Sequence, residues 1–444
     1  MERAEHSTLG AEQPVTSGPD FRKQARRVIS AGTVGHALEW FDFGVYAYLA
    51  TVIAGKFFPS TDPTTSLLAT LATFGVGFVA RPAGAFVFGR LGDRLGRRTV
   101  LLLTLLLMAV GTLGIGITPT HAEIGVWAAV ILVVCRLLQG FSAGGEVTTA
   151  AVFMIEWAPK GRRGLFGSFM QIGSVLGLMS ASLCVALCYS TFGTDTMNDW
   201  AWRVPFIVGV LIVPIGYIIR RRTEETPAFA KEQAEQAESV HPGSRKKEPV
   251  QFRPMIQAFL LLMFWSVGFY FFLTYMPTFL QREFSINPTE ALWINVTAMS
   301  VHIITVPITA ILSDRIGRRP LLIAGCIAFI LVPVPLFAYL DTGAPLPMVY
   351  LAVILIGVLL ALYTGPAATT GAEFFKTATR SSGYAIGYNL SAVVFGGFTP
   401  YLATWLIEAT GTKLAPVYYL SLTAIAGAIF IWSIKETAKD QEMA

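Results

Sequence analysis

The sequence predicts an all-α integral membrane protein, with twelve transmembrane helices arranged as two pseudo-symmetric six-helix halves. Three observations carry that prediction. First, 54% of the 444 residues are hydrophobic and only 14% are charged, with a mean hydropathy of +0.58, a balance foreign to a soluble domain. About 20 apolar residues cross the hydrocarbon core of a bilayer, and the chain divides into twelve such runs joined by short loops and one longer polar segment. Second, G-R-L-G-D-R-L-G-R-R at residues 89–98 returns as A-I-L-S-D-R-I-G-R-R at residues 310–319, identical at six of ten positions. A copy about half a chain away marks an internal duplication. Third, Glu373, Arg380 and Gly383 echo Glu156, Arg162 and Gly164, so a second mark agrees with the first.

The net charge of +5 does not point to nucleic acid, because the Lys and Arg residues concentrate in the loops of one side. By the positive-inside rule, that side is the cytoplasm and both termini lie there, as expected in a bacterial inner membrane. The chain then divides into a cytoplasmic tail (1–27), a six-helix bundle (28–220), a polar central loop (221–253), a second bundle (254–434) and a short cytoplasmic tail (435–444). The first tail is polar and carries Arg22, Lys23, Arg26 and Arg27, unlike a cleavable signal peptide. Cys135, Cys184, Cys188 and Cys326 fall inside apolar runs and read as small packing residues. No nucleotide, metal or Ser/His/Asp motif appears, so neither a cofactor nor an enzyme is expected. The expected partners are a small molecule, protons and the lipid bilayer, for a monomeric chain.

In chain order, the first run (28–55) contains G-H-A-L-E-W-F-D-F-G-V-Y. Glu39 and Asp42 are three apart and, with His36 and Tyr46, fall near one helix face. Glu39 sits near the bilayer midplane at 1.5 Å per residue, where an ionised carboxylate costs about 2.5–3.5 kcal/mol on insertion scales. Such a group persists facing a wet cavity or a partner, so a proton-coupling role and a structural ion pair with Arg136 both stand as readings. His36 reads more simply as a packing or hydrogen-bonding residue. The second run (66–88) carries Arg81-Pro82, where Pro82 loosens the helix and Arg81 is either a gate or a buried binding residue. The third run (99–117) is nearly featureless and reads as packing.

The fourth run (124–155) holds C-R-L-L-Q-G-F-S-A-G-G-E. Arg136 lies near the midplane, with Gln139 and Glu146 close to it in projection, and its planar fork suits a carboxylate. Gly140, Gly144 and Gly145 allow close helix packing. Glu146 is placed to relay a proton or to pair with Arg81 or Arg162. Gln171 in the fifth run is a polar lining residue. The sixth run begins near W-R-V-P-F and ends at Arg220-Arg221-Arg222, followed by E-T-P-A-F. The seventh run (255–280) has an aromatic stripe that reads first as packing, although Tyr270 and Tyr275 have hydroxyls that need partners. Tyr363, Tyr388 and Asn389 in later runs add hydroxyl and amide surface. Asp93 with Arg97, and Asp314 with Arg318, form either a latch that makes and breaks at the membrane surface or simply an anchor for the loop.

The repeated basic loop resembles the signature loop of the major facilitator superfamily. The stretches L-E-W-F-D-F, R-L-L-Q-G-F-S-A-G-G-E, W-R-V-P-F and E-T-P-A-F further resemble its metabolite:proton symporters, a branch with citrate, α-ketoglutarate, shikimate and proline/betaine permeases. The resemblance runs from Arg26 to Glu436. It implies a major facilitator fold and alternating access about a central site, with Glu39 and Asp42 as proton-linked acids, Arg136 as an anchor, and Asp93, Arg97, Asp314 and Arg318 as cytoplasmic gates. Ala310 stands where the first copy has Gly89, and His36 where relatives carry a small amide.

The expected function is proton-coupled uptake of a small organic acid. Moving one negative charge inward against 100 mV costs about 2.3 kcal/mol, which co-transported protons cancel. The expected substrate-binding set is Arg136, Gln139, Arg81, Gln171, Tyr270, Tyr275, Tyr363, Tyr388 and Asn389, and the proton-coupling set is Glu39, Asp42 and Glu146. The alternative substrate is a zwitterionic osmolyte such as proline or betaine, held by one arginine and by cation-π contact. A non-transporting sensor or an uncoupled channel explains the midplane acids and duplicated loops less well.

Overall fold

The computed structural model describes residues 19–95, 97–144, 158, 161–221 and 251–438. Nine helices among them are long and apolar enough to cross a membrane, and a tenth is the pair Thr33–Tyr48 and Ala50–Phe57, bent by 63°. Two shorter apolar helices, Leu102–Ile117 and Ala201–Pro214, fill the third and sixth places.

In chain order the first half is α1 (Pro19–Tyr48, continued by Ala50–Phe57), α2 (Pro63–Val79 and Arg81–Leu95), α3 (Arg97–Ile117), α4 (Val126–Gly144), α5 (Arg163–Asp199) and α6 (Val204–Arg221). The second half is α7 (Phe252–Phe269, a π-turn over Tyr270–Tyr275, and Met276–Glu283), α8 (Pro288–Ile316), α9 (Arg318–Leu331 and Pro333–Asp341), α10 (Leu346–Glu373), α11 (Thr377–Ser391, a π-turn over Ala392–Gly397, and Thr399–Thr410) and α12 (Ala415–Ser433). The first helix begins nine residues before the expected boundary at 28. Apolarity marked only the part buried in the bundle, whereas polar residues 19–27 extend the same helix.

Local chemistry sets the starts of corresponding helices in the two halves. Asp62 accepts from the backbone N–H groups of Thr64 (3.1 Å) and Thr65 (2.8 Å), with Pro63 in the first turn of α2. Asn287 accepts from Thr289 N–H at 2.9 Å, with Pro288 in the first turn of α8. Side-chain caps satisfy the orphan donors of a first turn, and proline has no N–H to waste there. The motif D-P-T and its counterpart N-P-T are therefore a further trace of the duplication.

Helices α2 and α4 meet at glycine. A Cβ on Gly140 would stand 1.6 Å from the Gly77 carbonyl oxygen, and one on Gly144 2.0 Å from that of Arg81, so the backbones touch without intervening side chains. The halves meet through α1 with α7, α2 with α11, and α5 with α8. Tyr48 donates to the Leu273 carbonyl at 2.6 Å, Phe398 packs on Gly75, and Ser182 donates to the Leu292 carbonyl at 3.2 Å.

The halves are also bonded to each other at both ends. At the end opposite the basic loops, Arg282 donates to Thr64 Oγ1 at 3.0 Å. At the basic-loop end, Asp314 accepts from the N–H groups of Gly164 (2.9 Å) and Leu165 (3.1 Å), so a carboxylate of one half caps the first turn of a helix in the other. Gly164 is required for that approach, because a Cβ there would lie 2.8 Å from both the Ala310 carbonyl and Asp314. Arg318 bonds to Asp314 at 2.7 Å and to Glu373 at 3.3 Å.

Candidate functional site

The centre is built where α1, α2 and α7 meet. Helix α1 presents His36, Glu39, Trp40 and Phe43, and α2 presents Phe74, Phe78 and Arg81 at spacings that share one helical face. Glu39 Oε1 lies 3.5 Å from Arg81 Nη2, and Glu39 Oε2 lies 3.6 Å from His36 Nδ1. Trp40 Nε1 donates to His36 Nε2 at 3.0 Å. The proton of the neutral imidazole then sits on Nδ1, toward Glu39.

The pair is buried and short of partners. Arg81 is 0% exposed and Glu39 3%, yet none of the guanidinium nitrogens, neither Glu39 oxygen, and not the Tyr270 hydroxyl has a hydrogen bond among the described residues. Aromatic rings supply the walls. The Arg81 guanidinium lies 4.2 Å from the centroid of Phe78, 4.8 Å from Phe43 and 6.0 Å from Trp40, within cation-π range. Trp40 packs edge-on against Phe269 at 5.0 Å and near Tyr270 at 5.8 Å, which brings the second half to the same centre. Tyr388 is buried and close enough to act electrostatically on Arg81 and Glu39.

Asp42 faces elsewhere. It shares α1 with Glu39 but turns into the first half, where its Oδ2 accepts from Thr112 Oγ1 at 2.8 Å. Gln139 Nε2 donates to the same hydroxyl at 2.9 Å, and Arg136 Nη1 donates to Gln139 Oε1 at 2.8 Å. Arg136 Nη2 reaches the Phe74 carbonyl at 3.5 Å, and its guanidinium lies 4.4 Å from the Tyr46 ring and 4.8 Å from Phe43. Both Arg136 Nη groups are thus engaged, while those of Arg81 are open. The expected direct pairing of Arg136 with a helix 1 acid is replaced by this chain of amide and hydroxyl. Thr112 was missed because a threonine in an apolar run carries no signal until the helix facing it is known.

Other expected site residues separate. Tyr275 bonds to Thr404 Oγ1 at 2.7 Å and Tyr363 donates to the Leu261 carbonyl at 2.7 Å, so these hydroxyls fasten helices together. Asn389 donates to Ala385 O at 3.0 Å, while among the described residues its Oδ1 and Gln171 Oε1 have no hydrogen-bond partner. Glu146 and Glu156 lie outside the described residues, as do the side chains of Asp93 and Arg97. Among the described residues no group of His, Cys, Asp and Glu could hold a metal ion.

Apolar helices in two matched halves around a buried charge pair are the architecture of a membrane transport protein. The chain belongs to the Major Facilitator Superfamily, whose profile matches residues 33–394 and 258–443. It is 36% identical to the proline/betaine transporter of Salmonella typhimurium, over 93% of this chain and 84% of that one. It is 34% identical to the glycine betaine/proline/ectoine/pipecolic acid transporter OusA of Dickeya dadantii, over 93% and 84%, and 33% identical to the ectoine/proline transporter ProP of Corynebacterium glutamicum, over 94% and 85%. The fold is that of the proton:xylose symporter XylE bound to 6-bromo-6-deoxy-D-glucose, with a TM-score of 0.77 at 18% identity over 95% of this chain and 98% of that one. The expectation of an organic acid substrate finds no support in these relatives.

Proposed function

We propose that this protein is a proton-coupled symporter of a small zwitterionic osmolyte of the proline or betaine type. The observation that carries the proposal is the Glu39–Arg81 pair, buried in an aromatic shell and without hydrogen bonds among the described residues. A buried ion pair recovers its desolvation cost only when its remaining donors and acceptors are satisfied, and this one leaves them open. A zwitterion satisfies both partners: its carboxylate bridges the Arg81 fork, and its ammonium faces Glu39 and the rings of Trp40 and Phe78. The inserted charge sums to zero, so the site gains bonds without a new net charge. A di- or tricarboxylate would require more cations, and Arg136 is already committed to Gln139. The names of the relatives agree with this choice.

Alternating access then divides the work between the ends. Asp314, Arg318 and Glu373 hold the cytoplasmic gate of the second half, with Asp93 and Arg97 as its counterpart in the first. Both termini face the cytoplasm in a bacterial inner membrane, and Asp42 carries the coupled proton. The test is the purified protein in liposomes holding a trapped pH dye, given proline, glycine betaine, ectoine, citrate, α-ketoglutarate and shikimate in turn. Acidification with one or more zwitterions is the expected result. Acidification with the acids alone would return the substrate to the carboxylates.

A further inference from the structure

Thr112 has one hydroxyl proton and two acceptors for it. Its Oγ1 lies 2.8 Å from Asp42 Oδ2 and 3.0 Å from the Met108 carbonyl one turn back, while the same oxygen accepts from Gln139 Nε2 at 2.9 Å. The neighbourhood is dry and crowded: Thr112 is 1% exposed, Asp42 5%, Gln139 and Arg136 0%. An ionised Asp42 only accepts, so Thr112 must donate to it. A protonated Asp42 has a proton of its own to give, and the acceptor in reach is the Thr112 oxygen. The threonine proton then turns to Met108.

We infer that Thr112 is a positioning residue of the transport cycle, a two-way hydroxyl that reports the protonation of Asp42 through Gln139 to Arg136. The proposal rests on the reading of this protein as a proton symporter and adds the route by which the proton is felt. When Thr112 donates to Asp42, its lone pairs are available to Gln139, whose amide orientation fixes the Oε1 that receives Arg136 Nη1 at 2.8 Å. When Asp42 donates instead, the Thr112 hydroxyl is no longer polarised by a carboxylate, its bond from Gln139 weakens, and the amide that receives Arg136 is held less firmly.

Arg136 is joined to the central site by Phe43, whose ring lies 4.8 Å from the guanidinium of Arg136 and equally 4.8 Å from that of Arg81. A change at Arg136 therefore bears on the ring that walls Arg81. The charged groups acting on Asp42 are Arg136 from α4 and Glu39 from α1; α3 contributes Thr112, and α6 contributes the backbone of Gly209, close against Asp42. A small pocket reaches this acid from between α1, α3 and α6, lined by Glu39, Asp42, Met108 and Gly209 among others and by neither arginine. The pocket thus touches both acids of α1 and neither arginine.

Reciprocal coupling between two ligands is commonly worth 5- to 150-fold in affinity, and here the hydroxyl carries it. The experiment uses the full chain in liposomes, with proline and glycine betaine as probes, measuring half-saturation in exchange between pH 6 and 8 and accumulation driven by an inward proton gradient. Thr112→Val, which keeps the shape and removes the hydroxyl, is expected to flatten the pH dependence of half-saturation and to lower accumulation at least about fivefold. Thr112→Ser, which keeps the hydroxyl, restores both. Should Thr112→Val not fold, Gln139→Leu breaks the same chain one bond further on and carries the same test. A Thr112→Val protein with the pH profile and accumulation of the wild type overturns the relay while leaving the symporter intact. A wild-type protein that takes up neither protons nor zwitterions overturns the underlying function instead.

Discussion

At the scale of single residues, the decisive contrast is between two buried arginines. Both stand against Phe43, but Arg136 is tied to Gln139 and the Phe74 carbonyl, whereas Arg81 approaches Glu39 at 3.5 Å and has no hydrogen bond among the described residues. Truncating one partner of a buried pair strands the other, at a cost of about 3–5 kcal/mol. Arg81→Ala is therefore expected to lower thermal stability sharply, and the double variant Glu39→Gln with Arg81→Gln to regain most of that loss while binding no proline. Thermal unfolding in detergent separates the two effects; a double variant as unstable as Arg81→Ala would mean the pair is not the source of the cost. Arg81→Lys keeps the charge and loses the fork, so it should bind proline weakly yet fold well. Asp42→Asn should depress proton-driven accumulation more than it slows exchange. The sequence made Glu39, Asp42, Arg81 and Arg136 conspicuous because charge in an apolar run is conspicuous. It favoured Arg136 for its depth and its planar fork, and neither reveals which of its donors a neighbouring glutamine has taken.

At the scale of helices, two contacts fix elements of each half. Gly140 of α4 lies against the Gly77 carbonyl of α2 so closely that a methyl group would stand 1.6 Å away. Gly140→Ala should therefore part the helices, at about 1–3 kcal/mol for overpacking, and weaken proline binding because Arg81 is carried on α2; unchanged melting and affinity would show that α2 shifts freely. At the basic-loop end, Glu436 accepts from the backbone N–H groups of Arg318 (2.8 Å) and Arg319 (3.0 Å) at the start of α9. Burial raises this carboxyl, but the N–H groups of Ala438, Arg318 and Arg319 outweigh it and hold Glu436 below the ordinary carboxylate value. A depressed acid stabilises the fold above its unfolded pKa and ceases to as pH falls through the folded one. The difference in melting temperature between the wild type and Glu436→Gln should accordingly be present at neutral pH and close on acidification below the ordinary carboxylate range. Helix number and order were legible because a bilayer demands long apolar runs. The role of Glu436 was not, because a short polar tail shows its cap only once α9 is folded beside it.

For the molecule as a whole, the charge of the cargo decides which gradient does the work. The duplicated loops and apolar runs disclosed two matched halves; neither discloses the sign of what passes through. An organic anion travelling with enough protons to cancel it would leave the membrane potential idle. A zwitterion travelling with one proton moves a net positive charge inward, and an interior-negative potential of 100 mV adds about 2.3 kcal/mol, roughly a 50-fold increase in attainable accumulation. The Glu39–Arg81 site favours the second case, since it offers one cation and one anion to the cargo and keeps its own sum at zero. Proteoliposomes with equal pH on both sides and a potassium diffusion potential set by an ionophore provide the measurement. Proline uptake should rise steeply as the interior is made negative and reverse when the potential is reversed. Proline uptake driven by a pH gradient yet indifferent to potential would mean that a second ion cancels the charge of the proton, and would overturn symport of one zwitterion with one proton.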